Sequence, residues 1–185
     1  MTLKELKRKT LALIEEYNEN SENLTDDIDI YSKFNDIANQ RMFELCRFKK
    51  IPKYVEILVS EGDIVTFDDL EKATGYTIYQ VDIVRGIDYV TRANGTVFKM
   101  LIGGTAEFDV FVYPELITDK TSDSYEFELS ADVLEILPYG IAADILSTDV
   151  SSGYGKVYRD EYERMLGRLD SRYQMNSITI EGGVL

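Results

Sequence analysis

The sequence predicts an α+β protein in which helices from the two ends of the chain form one bundle and a β-rich insertion lies between them. Three observations carry this. Apolar residues recur at helical spacing in residues 2–17 and 27–48, and again after Ser130. The middle holds short runs rich in Val, Ile, Tyr and Phe, punctuated by glycines. The chain has 185 residues, 44% of them hydrophobic, enough for one domain carrying an insertion. The predicted boundaries are N-terminal helices over 1–52, the β-rich insertion over 53–128, C-terminal helices completing the bundle over 129–169, and an extended tail over 170–185.

Taken in order, residues 2–17 form a helix whose stripe is Leu3, Leu6, Thr10, Leu13 and Ile14. Asn18 to Asn23 is a loop. Thr25, Asp26 and Asp27 offer N-caps for a second helix to Phe48. Ile30, Phe34, Ile37, Ala38, Met42 and Leu45 share a face of it. Arg47, Lys49 and Lys50 suit its C-terminus, and Pro52 stops it. Tyr54 to Val59 reads as a strand, Gly62-Asp63 as a turn, and Phe67 to Ala73 as a short helix or a connection. Strand-like runs follow at Tyr76–Val84, Ile87–Thr91, Thr96–Ile102 and Glu107–Tyr113, with a hairpin signal at Asn94-Gly95 and one more strand expected at Ser124–Glu128. Ser130 is the expected N-cap of the next helix. Pro138 predicts a break or kink, with a new helix from Tyr139 to Ser147. After a turn at Ser151-Ser152-Gly153, a last helix spans Gly155 to Leu169 with Tyr158, Tyr162, Met165, Leu166 and Leu169 in its stripe.

The composition argues against most catalytic chemistry. The chain contains no histidine, the commonest general base and metal ligand. Cys46 therefore has no histidine partner, and it reads as a buried small hydrophobe. Gly103-Gly104-Thr105 is a turn and not a dinucleotide fingerprint. Asp26-Asp27-Ile28-Asp29 lacks the glycine and terminal glutamate of a calcium loop and reads as helix capping. No cofactor is expected. Met1 to Lys9 alternates charge with leucine and lacks the apolar run of a signal peptide, and no segment has the length of a membrane span. Net charge is −14, unevenly placed: residues 101–150 hold 11 of the 34 acidic side chains and one basic residue, Lys120. Such a stretch repels phosphate backbones. Lys49, Lys50 and Lys53 form a small basic cluster better read as a helix end than as a nucleic-acid site.

Several phrases carry a resemblance. Phe34-Asn35-Asp36-Ile37-Ala38-Asn39-Gln40-Arg41-Met42-Phe43-Glu44-Leu45 precedes Lys50-Ile51-Pro52. Later comes Asp132-Val133-Leu134-Glu135-Ile136-Leu137-Pro138-Tyr139-Gly140-Ile141-Ala142-Ala143-Asp144, then Ser152-Gly153-Tyr154-Gly155 and Tyr162-Glu163-Arg164-Met165-Leu166. In phrase and layout these resemble structural proteins encoded among the head and tail genes of tailed bacteriophages and prophages of Firmicutes. The helix, β-insertion, helix order is similar to head–tail connector (adaptor) proteins.

The resemblance implies a virion neck protein, assembled in the bacterial host cytoplasm. It implies a ring of about twelve copies beneath the portal protein, with two different complementary faces on each copy. Its partners would be copies of itself, the portal protein, a stopper or tail-completion protein, and passing DNA without specific binding. The ring-packing surfaces are expected on the helices carrying Asp132 to Asp144 and Tyr154 to Leu169. Tyr139, Tyr154, Tyr158 and Tyr162 are the interface candidates, each with a core alternative. Ile178, Ile180, Val184 and Leu185 suit strand addition by the tail to a partner. Glu107, Asp109, Glu115, Asp119, Asp123, Glu126 and Glu128 are candidates to face the DNA channel. Two alternatives stand beside the connector: another neck or tail-completion (stopper) protein, and a carboxylate-dependent, metal-assisted hydrolase.

Overall fold

The computed structural model describes residues 1–148 and 153–174. The protein is α+β, with five α-helices and six strands among these residues. It divides into two compact units, one of residues 1–49 and 116–185 and one of Lys50–Glu115.

The first unit is helical. Helix α1 (Leu3–Leu13) starts at Thr2, whose side chain accepts from the Glu5 amide while the Glu5 carboxylate accepts from the Thr2 amide, a capping box. It buries Leu3, Leu6, Thr10 and Leu11. Helix α2 (Ile28–Phe48) is capped by Asp27, whose Oδ1 accepts from the amides of Asp29 and Ile30 at 2.8 and 3.2 Å. Phe34, Ala38, Met42, Leu45 and Cys46 are its buried face. Helix α4 (Ala131–Ile145) packs against α1, α2 and α5 (Tyr154–Gln174). Nine of its fifteen residues are buried, including Val133, Ile136, Leu137, Ile141 and Ala142. Each large one contributes about 1.5–3 kcal/mol by burial.

Three expectations need correction here. Helix α4 runs unbroken through Pro138. Proline removes one donor and crowds the preceding turn, yet apolar neighbours on three helices fix the segment, and this packing outweighs the local penalty. Ser124–Glu128 is not a strand. Only Thr2 and Glu126 form an isolated bridge, supported by bonds from the Leu3 amide to the Tyr125 carbonyl at 2.9 Å and from Lys4 to Asp123 at 3.0 Å. This segment lies along the start of α1, so residues 116–128 belong to the helical unit and the insertion closes at Glu115. Its entry is fixed by Asn39, whose side-chain amide bonds both the carbonyl and the amide of Ile117 at 2.8 Å. Finally, α5 continues past Leu169 to Gln174, so the tail does not begin at residue 170.

The second unit is built from two three-stranded antiparallel sheets and one short helix. Strand β1 (Ile51–Val59) and strand β3 (Ile78–Arg85) flank β6 (Gly104–Val112). Strand β2 (Ile64–Thr66) and strand β4 (Tyr89–Arg92) flank β5 (Val97–Met100). Pro52 is tolerated because β1 is an edge strand. The β4–β5 hairpin turns at Ala93, Asn94 and Gly95, all at positive φ. Helix α3 (Phe67–Thr74) fills the segment read as a helix or a connection, with Thr66 and Asp69 as its capping box. Alternation along β6 buries Ala106, Phe108, Val110 and Val112. Phe98 of β5 meets Phe108 edge-on with centroids 5.5 Å apart. The two sheets therefore meet at Phe98 and Phe108 on their buried faces.

One close approach in α4 decides a substitution. A Cβ on Gly140 would lie 2.7 and 2.9 Å from the Tyr162 ring and 3.3 Å from Arg41 Cδ. Alanine in a helix interior gains about 1 kcal/mol over glycine, but overpacking costs about 1–3 kcal/mol, and the buried ring has no room to retreat. Gly140→Ala is expected to lower the denaturation midpoint, and the loss should shrink in a Tyr162→Leu background. Chemical denaturation of the four variants checks this.

Candidate functional site

In the helical unit, polar side chains from α2, α4 and α5 meet in a clasp. The Arg41 guanidinium donates to both Asp144 oxygens at 2.6 Å and to Glu44 Oε2 at 2.6 Å. Its Cζ lies 5.0 Å over the Tyr162 ring, and the Tyr162 hydroxyl donates to the same Glu44 oxygen at 2.8 Å. Arg159 adds a longer contact to Asp144 at 3.4 Å. The hydrogen bond to Asp144 holds Arg41 well above its ordinary value. Burial, then the bond to Glu44, raises Tyr162 above its ordinary 10.0. Two carboxylates against two guanidinium groups leave no net charge, and the clasp ties three helices together.

Three further groups singled out in the sequence have structural surroundings. Asp27 caps α2, and Asp26 accepts from the Asn18 amide at 2.6 Å. Cys46 is fully buried, and burial pushes its thiol up to about 11. Among the described residues, no group of three or more His, Cys, Asp or Glu side chains is placed to hold a metal ion, and no helix is long and apolar enough to cross a membrane.

The four candidate tyrosines separate. Tyr162 is 4% exposed and takes the core reading. Tyr158 donates its hydroxyl to the Leu13 carbonyl, and its ring lies 6.4 Å from that of the half-buried Tyr139. Tyr154 is 66% exposed, beside exposed Val157. Helix α4, expected to be a ring-packing surface, is instead enclosed by its own unit, because its apolar residues run around the helix and not along one stripe. Ile178, Ile180, Val184 and Leu185 lie outside the described residues.

The acidic candidates divide between the units. Asp119, Asp123, Glu126 and Glu128 are exposed in the helical unit, where Asp123 pairs with Lys7 at 3.0 Å and Asp119 accepts from Asn35 at 2.9 Å. Glu115 ends the β unit and is exposed. Glu107 and Asp109 stand on the outer face of β6 beside Arg85, at 3.7 and 2.5 Å.

That outer face carries a pattern the sequence alone did not reveal, because it depends on register. Asp109 sits opposite Tyr54 of β1 and Ile83 of β3, and Glu107 sits opposite Glu56 and Arg85. Tyr54 and Ile83 are exposed, and Leu58, one row on, is 83% exposed. The other sheet repeats the layout with opposite charge. Lys99 of β5 sits between Ile64 and Val90, and Val97 sits between Thr66 and Arg92. Ile64 is 60% exposed and Val90 46%.

No family model matches this chain, and no curated protein matches it.

Two measurements follow. Raising a folded-state tyrosine pKa means that its stabilisation is complete below the unfolded value, 10.0, and is lost as pH climbs through the higher folded value. Tyr162→Phe should cost about 1 kcal/mol at neutral pH, and the gap from wild type should narrow above pH 10 in pH-dependent denaturation. Cys46 should resist a thiol-specific reagent in the native protein at neutral pH and react fully in denaturant. Rapid native labelling would contradict its burial.

Proposed function

We infer that this chain is a structural protein of the phage head–tail interface, forming a ring below the portal that joins the packaged head to the tail and lines the DNA channel. One observation supports this reading beyond the likeness in phrase and layout. On both outward sheet faces the insertion presents exposed apolar side chains on the edge strands, flanking a charged residue of the central strand. Exposed apolar side chains set around a charged group on the same face suit a contact with a partner of opposite charge. The work of such a protein is fit between surfaces.

The acidic excess supports passage of DNA without specific binding. An electronegative wall repels the duplex weakly and lets it slide. Asp119 and Glu126 are exposed acids of the helical unit that suit such a wall. Glu107 and Asp109 are shared with Arg85 and fit a protein contact better.

The test is retention on immobilised portal protein from the same phage genome. Retention of the purified chain is the expected result. Retention only by the tail-completion partner would assign the stopper role instead. Binding to neither would overturn the reading.

A further inference from the structure

We propose that the insertion binds a second copy of this chain head to tail, the outer face of the β1-β6-β3 sheet of one copy lying on the outer face of the β2-β5-β4 sheet of the next. The inference rests on the ring reading above and names the surface that closes the ring.

The argument starts from the two rows on each face. On the first sheet they read Tyr54–Asp109–Ile83 and Glu56–Glu107–Arg85 across three strands. On the second they read Ile64–Lys99–Val90 and Thr66–Val97–Arg92. Neighbouring strands in any sheet are about 4.8 Å apart, so both faces have the same pitch. Laying β5 over β6 and β4 over β1 sets Lys99 against Asp109, Arg92 against Glu56, Val90 against Tyr54 and Ile64 against Ile83. No like charges meet in this arrangement.

Charge balance points to a copy of the chain as the occupant. The two rows of the first face carry three carboxylates and one guanidinium, with Glu56 and Glu107 directly opposed across β1 and β6, while the Lys50 ammonium lies farther along the face over the Phe111 ring. Like charges at that position destabilise an isolated sheet, and a facing cation relieves them. The second face supplies two cations, Lys99 and Arg92, and neither has an ion-pair partner among the described residues. Within the rows laid together, the first face's deficit of two positive charges matches the second's excess. A nucleic acid would be repelled by the first face, and a membrane surface would meet only one of the two. The faces are different and complementary, which is the condition for a heterologous contact that closes a ring by rotation.

Charge reversal tests this in the full chain. One variant, Lys99→Glu with Arg92→Glu, has two acidic faces. Another, Glu56→Lys with Asp109→Lys, has two basic faces. By sedimentation at physiological ionic strength, wild type should associate with rising concentration. Each variant alone should do so at least about tenfold more weakly, and an equimolar mixture should recover association. Should the basic variant unfold by circular dichroism, Leu58→Ser takes its place. Leu58 is 83% exposed, so its loss should leave the fold intact and weaken association. Overturning outcomes are a wild type that stays monomeric at the highest soluble concentration, or variants that associate as wild type does. Portal retention is scored separately. A chain that binds portal without these faces sinks only this inference, and one that self-associates through them without binding portal sinks only the connector reading.

Discussion

The burial of α4 is the constraint on which the helical unit depends. An apolar stripe needs one neighbour, but a helix apolar nearly all round needs several, and α4 finds them in α1, α2 and α5. Two of those precede the insertion and one ends the described chain. The core is thus discontinuous in sequence, and the chain must leave it at Lys49 and return at Leu116. The Asn39 amide, clamped on both backbone groups of Ile117, sits at that return. Lengthening a closed loop raises its entropy cost only slowly. An inserted unit with its own Phe98–Phe108 core is therefore compatible with a helical core assembled around it.

The polar clasp follows from the same constraint. With α4 enclosed, its one acidic residue near the C-terminal end, Asp144, lies between α2 and α5 and is matched by Arg41 with bidentate geometry. A planar guanidinium suits this site because it bonds a carboxylate and covers the Tyr162 ring at once. Gly140 leaves room for that ring. The phrase from Asp132 to Asp144, which carries part of the resemblance to phage structural proteins read from the sequence, is thus largely explained by packing. It bears on the fold more directly than on any partner.

What could be read from the sequence was what is local. Asp27 and Phe48 bound α2 within a residue of expectation, and Asn94-Gly95 marks a real hairpin. The misreadings came where distant packing decides. Pro138 breaks an isolated helix but not one held by three neighbours. Ser124–Glu128 has strand-like residues but makes only one bridge, to Thr2. Periodicity placed Tyr158 and Tyr162 in one stripe, and a tyrosine stripe suits a core and an interface equally well. Separating them required knowing that Glu44 and Arg41 lie across from Tyr162. Alternation likewise showed which residues of β6 point outward, while only the register shows that Asp109 stands between Tyr54 and Ile83.

Charge makes the arrangement of the two sheet faces consequential. Two copies bearing −14 each repel on approach, so general stickiness cannot hold them together. At physiological ionic strength the screening length is about 8 Å. Charges spread over the rest of the surface are then damped, while groups in contact still interact. Association under these conditions requires opposite charges placed in register at the contact itself, with apolar residues around them to exclude water. Few positions in so acidic a chain can supply the positive side, and Lys99 and Arg92 do so from one face of one sheet. The proposed contact would leave the chain dispersed at low concentration and join copies in a single orientation, as assembly of a closed ring requires.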